Sequence, residues 1–160
     1  MIRLGSLKLA AFLISSGNFA KSLMSSISCS LESNDLSTAE SEPRPLFAGS
    51  DPWWARKEHS HWVTDGPFLY RGDSGNLYLI WSSFTDSGYV QAVCRSDNGD
   101  ITGNFNHDLP LLAEKDGGHG MIFKAFDGKT YLVLHRPNIN PNERPVLTEI
   151  IEKDGYLETV

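Results

Sequence analysis

Residues 62–136 contain the same pattern twice, and this repeat limits the folds open to the chain more than any other feature. A strand-like run that begins at Asp65 is followed by a polar turn and an apolar run, and a run that begins at His119 is followed by the same two elements. Superposing Gly66 on Gly120 aligns the two copies with one gap and places Asp65 on His119. A repeat of about fifty residues built from short strands is typical of β-propeller blades.

Three polar turns follow strand-like runs and extend the repeat beyond these two copies. They lie at 33–36, 95–99 and 152–155, and we interpret them as the same corner in three successive blades. The sequence therefore predicts an all-β fold of about two and a half propeller blades. These are the end of one blade, a complete blade over about 62–114, and most of a third blade from about residue 117.

Two predicted strands, 77–84 and 130–135, are apolar at nearly every position instead of alternating. The short turns imply antiparallel pairing, so both faces of each sheet must be covered, as they are when blades stack side by side. Segments 44–48 and 109–113 are predicted to be outer strands. A two-layer β-sandwich is the alternative fold, but its strands present one polar face and no clear repeat is expected of it.

The number of blades has a consequence for partners. Two and a half blades do not close a ring, and an open stack exposes an apolar blade face to water. We therefore expect missing N-terminal blades of a longer protein to cover that face, with self-association of this chain as the alternative. Expressed by itself, the chain is expected to aggregate or self-associate.

The first residues look unlike any blade. Residues 1–26 are assigned to an irregular or disordered N-terminal segment and 27–160 to the partial propeller domain. The apolar run 9–14 is preceded by basic residues, as in a signal segment, but it is shorter than the roughly 7–15 residues of a secretory core and no small-residue cleavage motif follows it. Localisation therefore stays open, with secretion or the periplasm as alternatives, and this run is too short to span a membrane.

Charge and cysteine content exclude several functions. The net charge is −6, and no basic cluster is longer than the pair Arg56 and Lys57, so a nucleic-acid surface is not expected. Cys29 and Cys94 are the two cysteines, too few for a disulfide scaffold or a cysteine-based zinc site. Both lie in strand-like runs, where a buried free thiol is the expected state.

Two residues of the repeat are candidates for chemistry. The first strand of a propeller blade lines the central channel, so Asp65 and His119 are both expected to face the axis from neighbouring blades. A turn aspartate that caps backbone amides is the alternative for Asp65, because Asp-Gly pairs do this routinely. His119 lies among small residues that let a ligand approach its ring, but one histidine makes no metal site by itself.

Four motifs together resemble a known family. They are Thr-Asp-Gly-Pro-Phe-Leu-Tyr at 64–70, Leu-Ile-Trp-Ser-Ser-Phe at 79–84, Ile-Thr-Gly at 101–103 and Asp-Gly-Gly-His-Gly-Met-Ile-Phe at 116–123. As a set they look like the C-terminal half of glycoside hydrolase family 43, the five-bladed β-propeller arabinanases, arabinofuranosidases and β-xylosidases. The resemblance covers about residues 28–157.

The resemblance implies an inverting glycosidase with an aspartate base, a second aspartate that tunes the acid, and a general acid that is usually glutamate. Asp65 matches the acid, with a side chain one methylene shorter. His119 matches the family's axial histidine, which implies a possible calcium ion or ordered water at the channel centre. The base and the tuning aspartate have no counterpart here, and Asp35, Asp51 and Asp73 are candidates by residue type alone.

A carbohydrate channel also calls for groups that bind sugar. Trp53 and Trp54 follow an Asp-Pro pair in a connection and could stack on sugar rings at the channel rim. Trp81 lies inside an apolar strand and is expected to be blade core. Arg95, just past a strand end, could bind substrate hydroxyls, with an ordinary corner salt bridge as the alternative.

The sequence therefore predicts a family 43-like glycoside hydrolase that acts on arabinose- or xylose-containing plant polysaccharides or oligosaccharides. It is expected to be a fragment that lacks the catalytic base and is inactive alone. A non-catalytic carbohydrate-binding propeller is the alternative function. Protein-interaction propellers are disfavoured because the sequence contains no WD dipeptide, and a sialidase-type propeller is disfavoured because 96–99 lacks the spacing of its motif.

Overall fold

The computed structural model of the protein describes residues 26–30, 38 and 41–160. Over these residues the chain is all-β, as predicted, and no helix is long and apolar enough to cross a membrane. Residues 1–25 of the predicted N-terminal segment fall outside the described ranges. The strands of the described part are β1 (Ser26–Cys29), β2 (Arg44–Ala48), β3 (Asp65–Arg71), β4 (Leu77–Thr85), β5 (Gly88–Ser96), β6 (Phe105–Asn106), β7 (Gly118–Lys124), β8 (Thr130–Arg136), β9 (Arg144–Lys153) and β10 (Tyr156–Thr159).

The strands form three antiparallel sheets. Strands β3, β4, β5 and β6 pair in chain order and form the first blade, and β7 to β10 pair in chain order and form the second blade. Strands β1 and β2 pair with each other and make a half-blade. The prediction of about two and a half blades is confirmed, and the last blade has all four of its strands rather than most of them.

The core lies on both faces of the first blade, because alternate residues of a strand point to opposite sides of its sheet. On one side Leu79 and Trp81 pack towards the half-blade. On the other side Tyr78 and Ile80 pack against the second blade. All residues of 77–83 are buried, which explains why the sequence there is apolar without alternation.

One predicted outer strand is wrong. Segment 44–48 forms β2, but 109–113 forms no strand, and β6 is the outer strand of the first blade. Pro110 has no amide hydrogen to give to a ladder. The amide of Leu112 instead donates to the carbonyl of Gln91 at 2.9 Å, and the segment packs its apolar side chains between the two blades.

Two of the three predicted corners are confirmed. Turn 95–99 follows β5, and turn 152–155 connects β9 to β10. The third predicted corner, 33–36, lies outside the described residues. Cys29 and Cys94 are buried and unpaired, as predicted.

The pairing register corrects the alignment of the two copies by one residue. Asp65 lies opposite Ser82 in the first blade, and Gly118 lies opposite His135 in the second. Both pairs precede a break in the ladder, after which the strands run in step to their ends. Asp65 is therefore equivalent to Gly118 and not to His119.

The backbone of the bulge explains the error. Gly66 has a φ of 51° and His119 has a φ of 54°, so the two occupy the same left-handed position of the β-bulge. Glycine is the usual residue at this position, and a side chain there is uncommon. Matching Gly66 to the next available glycine, Gly120, shifted the inner strands by one residue.

Candidate active site

The predicted pair of site residues meets where the first strands of the two blades begin. Asp65 is the first residue of β3, and His119 is the second residue of β7. His119 Nδ1 lies 3.2 Å from Asp65 Oδ2. The side chain of Asp65 is 37% exposed and that of His119 is 56% exposed, so both can be reached from solvent. The two residues therefore share one site, although they are not equivalent in the repeat.

Gly66 is what allows the histidine ring to approach. A Cβ atom at Gly66 would lie 2.9 Å from His119 Cδ2 and 3.0 Å from His119 Cα, closer than such atoms normally come. The positive φ of Gly66 disfavours any side chain there as well. The Asp-Gly pair thus turns the chain and at the same time clears the space beside Asp65.

Tyr89 completes the site, and sequence reasoning missed it. Its hydroxyl donates a hydrogen bond to Asp65 Oδ2 at 2.7 Å. Because β5 is antiparallel to β4, its second residue returns to the end of the blade where β3 begins. Burial raises the pKa of the Tyr89 phenol, and the hydrogen bond and negative charge of Asp65 raise it further. The phenol is therefore neutral at ordinary pH and available as a donor.

A buried polar network fixes the start of β7 against the first blade. The His119 amide donates to Ser82 Oγ at 2.8 Å, and the Gly120 amide donates to Gln91 Oε1 at 2.7 Å. Ser82 Oγ also donates to Gln91 Oε1 at 3.2 Å, and Gln91 Nε2 donates to the Trp81 carbonyl at 2.9 Å. Both side chains are fully buried, and such bonds are costly to leave unmade, so this network holds His119 in place.

His135 is a second residue that sequence reasoning missed. Its ring stacks on Tyr89 with centroids 5.6 Å apart, and it lies 6.4 Å from the His119 ring. Its Nε2 lies 3.0 Å from Asn138 Oδ1. In the sequence, His135 could have been recognised only from its position near the end of an apolar strand, shortly before a Pro-Asn pair. A cavity of about 340 Å³ adjoins both histidines and is lined by His119, Met121, Val133, Leu134, His135, Glu143, Arg144 and Pro145.

The two adjacent tryptophans proposed to bind sugar lie in different environments. Trp54 is buried and packs against Trp81 with ring centroids 5.4 Å apart. Its indole is part of the core, so the predicted rim role of Trp54 is corrected. Trp53 is exposed, and its carbonyl accepts a hydrogen bond from Arg56, which bridges to Phe84 near the end of β4. Trp53 therefore lies at the same end of the blade as Asp65.

Arg95 is not brought to the site. It is the penultimate residue of β5, at the opposite end of the blade from Asp65. Its Nη1 donates to the Gly155 carbonyl at 2.6 Å, and its guanidinium lies 5.9 Å from the centre of the Tyr156 ring. These contacts give Arg95 a role at the blade junction, which corrects its prediction as a residue beside the substrate.

The remaining carboxylate candidates lie in turns. Asp51 Oδ2 accepts a hydrogen bond from the Ala48 amide at 2.9 Å, and the exposed Asp73 lies 3.8 Å from Lys124 Nζ. Asp35 falls outside the described residues. The described contacts of Asp51 and Asp73 do not involve Asp65, and both residues have the turn setting expected from sequence.

The donors present would supply only part of the ligand set of a calcium ion. The site provides one carboxylate and one imidazole, whereas calcium takes six to eight oxygen ligands. Within the described residues there is no group of three or more histidine, cysteine or acidic side chains that could hold a metal. The role of His119 as an axial ligand for calcium or water stays a prediction.

Comparisons with known proteins give a consistent result. No protein-family model and no curated protein matches the chain. An endo-arabinase from Bacteroides thetaiotaomicron is 36% identical over 82% of this chain and 48% of its own, with a TM-score of 0.76. A thermostable family-43 glycoside hydrolase is 17% identical over 94% of this chain and 56% of its own, at 0.71. An α-L-arabinofuranosidase from Lactobacillus brevis is 20% identical over 95% of this chain and 55% of its own, with a TM-score of 0.68.

The chain spans about half the length of these three structures. Its two complete blades and the half-blade beside them have the β-propeller architecture of these structures. More particularly, the chain has the fold of glycoside hydrolase family 43, which confirms the resemblance found in its motifs.

Proposed function

We propose that this chain is the acid-bearing part of a glycoside hydrolase that cleaves O-glycosyl bonds in arabinose- or xylose-containing polysaccharides or oligosaccharides. The observation that carries the proposal is the Asp65 carboxyl, part-exposed at the blade junction and held by Tyr89 and His119. Two of the similar structures are an endo-arabinase and an α-L-arabinofuranosidase, which supports the substrate class.

Asp65 would act as the general acid of an inverting displacement. It gives its proton to the glycosidic oxygen while the bond from that oxygen to the anomeric carbon breaks, and the leaving sugar departs as an alcohol. A water molecule attacks the opposite face and loses its proton to a second carboxylate. That base must lie roughly 6.5–9.5 Å from the acid, with room for the water, and we propose that another blade supplies it.

His119 would bind the substrate or the water that accompanies it. With Nδ1 directed at Asp65, a hydrogen on this nitrogen donates to the carboxylate and leaves Nε2 as an acceptor. A carboxylate that fixes the tautomer of an imidazole in this way also fixes the orientation of the ring. Nε2 can then accept from a sugar hydroxyl or from water.

Further blades would complete the ring. The second blade exposes large apolar residues on the face turned away from the first, among them Met121, Phe123, Leu147 and Ile151. Exposed apolar patches of this kind mark interaction surfaces. We propose that blades outside the described residues cover this face, with a second copy of the chain as the alternative partner.

The test is hydrolysis of arabinan, arabino-oligosaccharides and xylo-oligosaccharides by the full protein, compared with its Asp65→Asn variant. As general acid, Asp65 should contribute about 10²–10⁴-fold to turnover of natural glycosides and much less to that of aryl glycosides, whose leaving groups need little protonation. Asp73→Asn is the matched control, because Asp73 lies in an exposed turn.

Each outcome has a distinct meaning. Equal losses on natural and aryl substrates would remove Asp65 from the acid role. Binding of oligosaccharides without hydrolysis, measured by calorimetry, would favour the non-catalytic carbohydrate-binding propeller. If the protein neither bound nor hydrolysed these carbohydrates, the proposed function would be ruled out altogether.

A further inference from the structure

Both contacts to the Asp65 side chain fall on the same oxygen. Oδ2 accepts the hydrogen bond of the Tyr89 hydroxyl at 2.7 Å and lies 3.2 Å from His119 Nδ1. Within the described part of the chain, Oδ1 has no hydrogen-bond partner. The shorter contact, from Tyr89, is the stronger candidate for fixing the direction of the carboxyl group.

The Tyr89 ring has little freedom to move. It is buried, stacks on His135 at an interplanar angle of 15°, and packs against Phe84 with centroids 5.1 Å apart. Gly118 lies directly against it, and a Cβ atom at that position would collide with the Tyr89 ring and lie 2.7 Å from Ser82 Oγ. Because the ring is enclosed on these sides, its hydroxyl is a fixed point to which the carboxyl of Asp65 must turn.

We infer that Tyr89 is a positioning residue that holds Asp65 by Oδ2 and leaves Oδ1 as the oxygen that faces substrate. The inference rests on the proposed function, in which Asp65 gives a proton to the glycosidic oxygen. An aspartate has two side-chain torsions, and one well-placed hydrogen bond together with the His119 contact is enough to select a single rotamer. The proton to be transferred then resides on Oδ1, the oxygen that has no hydrogen-bond partner among the described residues.

A purely structural role for Tyr89 makes a different prediction. If the ring served only to fill the junction between β5 and β7, phenylalanine would replace it without effect on Asp65. The Tyr89→Phe variant keeps the ring and its contacts with Phe84 and His135 and removes only the hydroxyl. It therefore separates positioning from packing.

The first experiment measures the rotamer of Asp65 by nuclear magnetic resonance in the isotope-labelled full chain. The three-bond couplings between its Hα and Hβ atoms report the χ1 torsion, and they should indicate one χ1 rotamer in the wild type and averaged values in Tyr89→Phe. Tyr131→Phe is the matched control, because the Tyr131 hydroxyl donates to a different carboxylate, Asp127 Oδ2, at 3.0 Å in an exposed turn. Couplings at Asp65 that are the same in Tyr89→Phe as in the wild type would overturn the inference.

A second measurement covers the case in which Tyr89→Phe does not fold. The ¹³Cζ resonance of Tyr89 senses the acceptor of its hydroxyl, so it should move in Asp65→Asn and stay fixed in Asp127→Asn. The Tyr131 resonance should show the reverse pattern. A Tyr89 resonance that does not respond to Asp65→Asn would also count against the inference.

Turnover distinguishes this inference from the proposed function. In an active protein, Tyr89→Phe should lower kcat by about tenfold with KM nearly unchanged, since a misplaced acid affects the chemical step rather than binding. Full kcat in Tyr89→Phe, with activity lost in Asp65→Asn, would refute positioning and leave the proposed function intact. Absence of hydrolysis by a protein in which further blades complete the ring would refute the proposed function, and the couplings would still decide whether Tyr89 sets the Asp65 rotamer.

Discussion

The two blades share one strand order and one register, but their surroundings differ. Val93, opposite Ile80 in the first blade, is 2% exposed, whereas its equivalent Leu147, opposite Val133 in the second blade, is 57% exposed. The apolar character of these positions is the same, and only the neighbour is different. The apolar sequence of such a strand thus does not by itself show whether its face is covered.

The largest effect should come from placing a charge on each blade at this equivalent position. Val93→Asp buries an unpaired carboxylate between the blades and is expected to cost about 4 kcal/mol or more of unfolding free energy. Leu147→Asp, on the exposed face, is expected to stay within about 0.5 kcal/mol. Chemical denaturation followed by tryptophan fluorescence measures both.

The same two variants, Val93→Asp and Leu147→Asp, also test self-association. If a second copy covers the second blade, Leu147→Asp should dissociate the oligomer seen by analytical ultracentrifugation. A cost for Leu147→Asp as large as that for Val93→Asp in a monomeric protein would show that the contrast between the two blades is wrong.

A smaller effect is expected at the bulge, where the blades also differ. Asp65 carries a side chain at the position that Gly118 occupies in the second blade. Gly118→Ala should displace the Tyr89 ring and cost about 2 kcal/mol through overpacking. The control is Ala125→Gly, in the turn that follows β7. Gly128→Ala in that turn is unsuitable as a control, because the φ of Gly128 is 84° and disfavours a side chain. Equal thermal stability of Gly118→Ala and wild type would argue against the close packing of Tyr89.

The junction between the blades also depends on Glu152. This carboxylate of β9 accepts hydrogen bonds from the Ser74 amide at 3.0 Å, the Asn76 side chain at 3.1 Å and the Tyr78 hydroxyl at 2.8 Å. Burial by itself raises its pKa, but the bonds from Ser74, Tyr78 and Asn76 outweigh burial and lower the pKa from 4.5 to about 2. Burial, together with the hydrogen bond and negative charge of Glu152, raises the pKa of Tyr78 to about 12, although Asn76 and Arg95 oppose this.

Glu152 therefore gives the junction a defined acid sensitivity. A carboxylate whose pKa is lower in the folded state adds stability above its unfolded pKa of 4.5, and this contribution is lost as the pH falls towards 2. Glu152→Gln should cost about 1 kcal/mol at pH 7, because the group is only partly shielded from water, and should flatten the stability profile between pH 4.5 and 2. Glu149→Gln, at an exposed pair with Lys129, should leave that profile unchanged. An unaltered acid limb in Glu152→Gln would contradict this assignment.

The smallest effect is expected on the other face of the first blade, towards the half-blade. The His107 ring lies edge-on to Phe47 at 4.4 Å, and its ring nitrogens have no hydrogen-bond partner within the described residues. Burial lowers its pKa, although the charges of Asp51 and Asp108 oppose this. A histidine with a lowered folded pKa adds its full stability above its unfolded pKa of 6.5 and loses it as the pH falls.

His107→Phe should accordingly remove a small loss of stability below about pH 6.5. Its melting temperatures at pH 5.5 and 7.5 should then be equal. Val133→Ala, on the uncovered face of the second blade, is the control. Valine does not titrate, so this variant should keep the wild-type dependence of stability on pH between 5.5 and 7.5. Persistence of the same pH dependence in His107→Phe would place its origin at another residue.

The repeat was sufficient to predict the fold, because its period and its strands buried on both faces have few other solutions. It failed where pairing geometry decides. The β-bulge needs a residue with a positive φ. In the second blade that residue is His119, whereas the sequence alignment placed a glycine at this position. Segment 109–113 has the composition of a strand, but its amide bonds go to Gln91 instead of a ladder.

The candidate site was predictable only for residues on the inner strands. Asp65 and His119 lie at the start of successive inner strands, which the repeat identifies. Tyr89 reaches them from β5, and nothing in the local sequence states at which end of the blade it lies. Trp53 and Trp54 are adjacent and chemically identical, so sequence could not show that one is exposed and the other buried.

Glu152 and Asp65 lie at opposite ends of the same blade junction, and this places a mechanical demand on the protein. Strand β3, with 7 residues, separates the two contacts by about 20 Å at a rise of about 3.3 Å per residue. Tilting the second blade by about 1° around Glu152 would therefore move His119 relative to Asp65 by about 0.35 Å, which approaches the tolerance of about 0.5 Å for a working site. The hydrogen bonds of Glu152 are therefore expected to limit the tilt of the second blade and, with it, the variation in the distance between His119 and Asp65.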